Sequence, residues 1–111
     1  MTEGNDLVMS DNHRRIVLRR LARPGRSGST CLLLMYGHKG DGLTGSDMSR
    51  ISGFSLGAIR NVMGMAQAVG LVELSGRGGL EGRAAVGAPF RYRLTEAGEQ
   101  FCASHAWGQL P

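Results

Sequence analysis

The apolar and polar positions between residues 43 and 74, LTGSDMSRISGFSLGAIRNVMGMAQAVGLVEL, divide into two short helical periods followed by a β-branched run. Met48 and Ile51, three apart, predict the buried face of a first helix. Thr44 caps that helix, with Asp47 three residues on completing a variant of the capping box. Gly53 ends it, Phe54 plugs the turn, and Ser55 caps a second helix. There Leu56, Ile59, Val62, Met63 and Ala66 recur at the three-and-four spacing of one face. Gly70 then offers the tolerance of positive φ that a helix end needs, and Leu71 to Leu74 leave as a strand. Two short helices across a glycine turn form a helix-turn-helix, whose second member lies in the DNA major groove in the proteins that use it for reading.

The flanking stretches supply the rest of a small domain. Ser10 or Asp11 caps a helix running to about Ala22, with Val17, Leu18 and Leu21 as a narrow apolar stripe and Ile16 beside it. Pro24, Gly25, Ser27 and Gly28 predict a loop. Ser29 or Thr30 caps the run CLLLMYG, read as helix because Leu and Met form helices better than strands. Leu43 adds a brief edge strand. Beyond Leu74 a glycine-rich stretch leads to FRYRL, where Phe90, Tyr92 and Leu94 alternate with Arg91 and Arg93 as a strand with one buried and one wet face. A β-hairpin with a long tip, the wing, therefore spans about residues 71–94, and Thr95 caps a final helix. The expected fold is α+β, a winged helix-turn-helix with a three-helix core, an added N-terminal helix and a short C-terminal helix. Residues 1–28 form the arm and basic helix, and 29–111 the winged-helix domain.

Charge narrows the partner. The 111 residues carry a formal +4, with a sequence pI of about 9.8, and all but one of the thirteen Lys and Arg are arginines. A basic balance favours a polyanion, and arginine suits bidentate contact with phosphate or guanine. The N-terminal helix bears Arg14, Arg15, Arg19, Arg20 and Arg23. They form either a solvated face of a helix docked on the core or a second subunit, or a row along a phosphate backbone. No apolar run approaches the roughly 20 residues that span a bilayer, and MTEGNDLVMSD has no signal-peptide core, so the expectation is a cytoplasmic protein without a membrane partner. Cys31 and Cys102 are expected as buried small apolar residues, and neither has metal-ligand spacing to a histidine.

Catalytic patterns carry little. GFSLG, residues 53–57, matches the nucleophile-elbow pattern, but that elbow needs a preceding strand and a large α/β sheet, so Ser55 is read as a helix cap. GRGGLEG, residues 76–82, misses the dinucleotide spacing because Glu81 holds the third glycine position. With three scattered histidines and no paired carboxylates beside an apolar pocket, neither an enzyme nor a cofactor is expected.

Taken together, LTGSDMSR, then AVGLVE, a Gly/Arg hairpin and RYRLTEAGE resemble the winged-helix DNA-binding domain of small bacterial regulators of the MarR and PadR kind, over roughly Thr30 to Cys102. The resemblance implies a transcriptional regulator whose helix 55–69 reads double-stranded DNA in the major groove while the wing touches backbone or minor groove. Such regulators act as dimers; the helix ending near Ala22 is the expected pairing element here. With the core face fixed, the outward positions are Gly57, Asn61, Gly64 and Ala68, flanked by Ala58, Arg60 and Met65. Asn61 is suited to adenine and Arg60 to guanine. Ser55 opens the helix; Arg77, Arg83, Arg91 and Arg93 are the wing contacts; Arg50, Arg14, Arg15 and Arg19 are the phosphate anchors. The same small-residue face beside Met65 also suits a protein-binding adaptor that holds another protein and no DNA.

Overall fold

The computed structural model describes residues 10–38, 42–77 and 90–104, which form five helices and a three-stranded antiparallel sheet in an α+β arrangement. In chain order these are α1 (Asp11–Leu21), α2 (Ser27–Gly37), β1 (Leu43–Thr44), α3 (Gly45–Ser52), α4 (Leu56–Ala68), β2 (Val72–Arg77), β3 (Phe90–Leu94) and α5 (Glu96–Ser104). None of these helices is long and apolar enough to cross a membrane.

Local capping explains most of the boundaries. Ser10 Oγ accepts from the His13 amide and starts α1. The Thr44 hydroxyl accepts from the Asp47 N–H at 3.0 Å, while the Asp47 carboxylate accepts from the Thr44 N–H at 3.1 Å, closing a reciprocal capping box on α3. Gly53 terminates α3 with φ +84°, where a Cβ would be strained, and Ser55 Oγ accepts from the Ala58 N–H to begin α4. At the far end of α4, Gly70 N–H bonds Gln67 O and Leu71 N–H bonds Ala66 O, the paired closure of a Schellman motif around a left-handed glycine. Leu71 is thereby spent on ending the helix, so the strand expected from Leu71 begins at Val72.

Three expectations are corrected. The helix expected from a Ser29 or Thr30 cap starts at Ser27, so Ser27 and Gly28 are helical, and a boundary between residues 28 and 29 falls inside α2. Ser29 does not cap: it is buried, and its hydroxyl donates to the carbonyls of Arg23 and Arg26. Gly28 lies in the first turn against the end of α1, where a Cβ would sit 2.8 Å from Leu21 Cδ2. Ile51, expected in the core beside Met48, is 53% exposed, and the buried face of α3 is made by Gly45 and Met48. Phe90, expected on a buried strand face, is 40% exposed.

The core gathers around α2, which packs against the other four helices and β3. That position explains a sequence with no single apolar face, since Cys31, Leu32 and Met35 are buried while Leu34 and Tyr36 pack partly against the same core. Met48, Ile59, Met63, Ala66 and Val69 complete it, with Val17 and Leu21 docking α1 and Cys102 docking α5. In the sheet, ordered β1-β3-β2, Leu43 pairs with Tyr92 and Val72 with Leu94, and a bulge between Leu74 and Gly76 interrupts the β2–β3 register. Gly76 adopts φ +150° at that bulge.

Candidate functional site

The rotation of α4 about its axis is locked by Ile59, Val62, Met63 and Ala66, all buried. Gly57, Arg60, Asn61, Gly64 and Ala68 are left exposed on the other side. Helix α1 runs beside this face, and the two enclose a groove of about 430 Å³ whose walls include His13, Ile16 and Arg20 from α1 and Arg60, Asn61 and Gly64 from α4. A second cavity, about 330 Å³, shares Arg20 and Asn61 with the first and adds Arg23, Arg26, Ser27 and Gly28 at the α1–α2 corner. Arg60 also borders a smaller recess against Ser46, Leu56, Phe90 and Tyr92, so it stands between α1 and the sheet.

The sequence-predicted residues fall into two groups. Ser55, Arg60 and Asn61 share the exposed N-terminal half of α4. Arg50 is exposed on α3 and bonds Asp47 at 3.1 Å, one turn away. Arg14, Arg15 and Arg19 are exposed but do not line the groove beside α4. Arg15 and Arg19 stand two residues either side of the buried Val17, which at 100° per residue sets them on the far side of α1 from the core. The strand arginines depart from expectation as well. Arg93 pairs with Glu73 at 2.8 Å and faces a recess with Met35, His38, Glu96 and Glu99, not α4. Arg91 lies two residues before it, on the same side of β3. It rests against Gly76, with its Nε buried and lacking a hydrogen-bond partner among the described residues. Phe90 and Tyr92, on the opposite side of that strand, are the residues turned toward Leu56 and Arg60. Arg77 closes β2, and Arg83 lies outside the described residues.

Sequence reading missed the α1–α2 corner. Arg20 and Arg23 were expected only as part of a general basic face, and Arg26 had no assigned role. Helical spacing offered one signal: Arg20, three after Val17, flanks the buried stripe rather than opposing it.

Charge is segregated among the described residues. None of their carboxylates lines either cavity along α1, whereas Glu73, Glu96 and Glu99 share the recess around Arg93. Hydrogen bonding from the Thr44 N–H, the largest influence, holds the Asp47 carboxyl below its ordinary range against the opposing effect of burial, with smaller help from the Thr44 hydroxyl and Arg50. Burial raises both thiols to about 11, with Glu99 adding to the effect at Cys102. Neither thiol is therefore a nucleophile at neutral pH. Among the described residues no group of three or more His, Cys, Asp or Glu is placed to hold a metal ion. Comparison with known proteins gives no match among family models, curated proteins or solved structures.

Proposed function

We propose that the protein is a sequence-specific double-stranded DNA-binding protein, a winged-helix transcriptional regulator of the MarR and PadR kind without enzymatic activity. In this reading α3 and α4 are the helix-turn-helix, β2 and β3 the base of the wing, and the exposed face of α4 enters the major groove. Arg60 addresses guanine and Asn61 adenine, each through a bidentate contact. Gly57 and Gly64 have open space above them, which lets the backbone approach the base edges. A homodimer would set two copies of α4 about 34 Å apart on a two-fold site.

The observation that supports this best is the convergence of Arg20, Arg23 and Arg26 on the cavities bordered by Asn61, beside Arg60, with no carboxylate of the described residues in the walls. An adaptor role draws support from a different feature, the 51% exposed Ile16 facing Gly64, Met65 and Ala68 across the same groove. Enrichment from a random duplex pool, followed by gel shift of the selected sequence, separates the two. Duplex binding predicts that Asn61→Ala costs about 1–3 kcal/mol and relaxes preference at one position. An adaptor enriches no sequence and shows no steep loss of binding as salt rises.

A further inference from the structure

We propose that the α1–α2 corner is a phosphate-binding site, built by Arg20, Arg23 and Arg26 over the first turn of α2. The proposal deepens the duplex reading, on which it depends only for the source of the phosphate.

Three arginines, Arg20, Arg23 and Arg26, line one cavity of about 330 Å³. None of the three has a carboxylate partner among the described residues, although Arg50 and Arg93 each have one. Gathering like charges is unfavourable unless an anion joins them, and a phosphate offers acceptor oxygens to more than one guanidinium at once. The floor of the cavity adds donors of its own. Helix α2 is eleven residues long and its N-cap, Arg26, supplies no side-chain cap. The one hydroxyl nearby that is suited to the task, that of Ser29, is turned the other way and donates to the Arg23 and Arg26 carbonyls. The amides of Ser27 and Gly28 thus begin a helix with no side-chain acceptor, at its positive end, inside an arginine-lined cavity. Gly28 brings α1 and α2 close at this corner, since a Cβ there would sit 2.8 Å from Leu21 Cδ2 and press on that side chain. Asn61 forms part of the same wall, so a phosphate held here lies beside the exposed face of α4.

The ligand chemistry is a phosphate ester or polyphosphate, supplied either by the backbone of a duplex lying on α4 or by a free nucleotide polyphosphate. The test uses the full chain, its Arg23→Gln/Arg26→Gln variant, and an Arg15→Gln/Arg19→Gln variant. The second double variant removes the same charge from the far side of α1, and all four positions are exposed. Pyrophosphate is titrated against the 15N-labelled proteins, and duplex affinity is measured across a salt series. The expected result is saturable pyrophosphate shifts at the Ser27, Gly28 and Ser29 amides that vanish in Arg23→Gln/Arg26→Gln and persist in the control. Duplex affinity of the same variant should fall about tenfold or more near 0.15 M salt, with the log–log salt slope reduced by about 1.8, two phosphates' worth. Lost pyrophosphate shifts with unchanged duplex affinity would also support the site, and would assign it to a free polyphosphate. Absence of saturable shifts at the corner overturns the proposal, as does equal loss of those pyrophosphate shifts in the two double variants, and either result leaves the duplex reading to its own test.

Discussion

Gly98 offers a sharp check on how α5 is joined to the rest of the chain. The residue is buried in the first turn of α5, where a Cβ would overlap the Leu71 carbonyl oxygen, lie 3.0 Å from that carbonyl's carbon and 3.1 Å from Leu94 Cδ2. The obstacle is backbone, held by the Schellman closure of α4, so it cannot rotate aside as a side chain would. Relief requires lifting the start of α5 away from residues 70–71. Two hydrogen bonds cross that junction: the Thr95 N–H donates to Leu71 O at 3.0 Å, and its hydroxyl donates to Gly70 O at 2.6 Å. Losing both costs about 1–3 kcal/mol in total. Overpacking adds about 1–3 kcal/mol, and the better helix propensity of alanine returns up to about 1. Gly98→Ala is therefore expected to destabilise the fold by about 1–6 kcal/mol, a fall in Tm of roughly 5 °C or more for a domain of this size. Urea unfolding followed by circular dichroism measures it. The matched control is Gly64→Ala, an exposed glycine inside α4 with nothing within 4 Å of the added carbon, which is expected to stabilise by about 0.5–1 kcal/mol. A Gly98→Ala protein within about 0.5 kcal/mol of wild type, or a Gly64→Ala protein equally damaged, would refute the reasoning.

Three further expectations can be measured on the same material. Thr44→Ala removes one half of the α3 capping box and should cost about 1 kcal/mol in urea unfolding, with Thr44→Ser recovering most of it. Because the Asp47 carboxyl titrates lower in the folded chain than its ordinary 3.8, its contribution is present above that value and is lost as pH falls through the lowered pKa. Asp47→Asn should accordingly flatten the acid limb of the stability profile. The two thiols move the other way: folding raises them from 9.0 to about 11, so stability is full below pH 9 and declines as pH rises toward 11. At pH 8 both should react with Ellman's reagent only at the rate of unfolding, and fast labelling of either in native protein would contradict their burial.

Features written in adjacent residues were legible in the sequence. The Ser10, Thr44 and Ser55 caps, the glycine terminators at 53 and 70, and the core face of α4 all depend on side chains within one or two turns, and each stands in the structure as the spacing implied. The start of α2 was not legible, because no local cap marks it. Gly28 lies there against Leu21, a contact that only the tertiary arrangement of two helices reveals. Ile51 and Phe90 show the complementary limit: an apolar residue in the right period is still exposed where no other element covers it. The strand arginines could have been read better. If alternation turns Phe90 and Tyr92 toward α4, it must turn Arg91 and Arg93 away from that helix, and Arg93 accordingly meets Glu73. Of the candidate site, Arg60 and Asn61 were visible as exposed helix positions, whereas the corner of Arg20, Arg23 and Arg26 exists only because α1 folds back along α4.

The central claim is that the exposed face of α4, together with the arginines beside it, receives a nucleic-acid duplex. Its most direct measurement is a map of backbone amide shifts on adding the selected duplex to the 15N-labelled protein. The account predicts the largest changes along residues 55–64 and 20–28, with little at Glu73, Glu96 and Glu99. Changes confined to that acidic side, or none at saturating duplex, would contradict it.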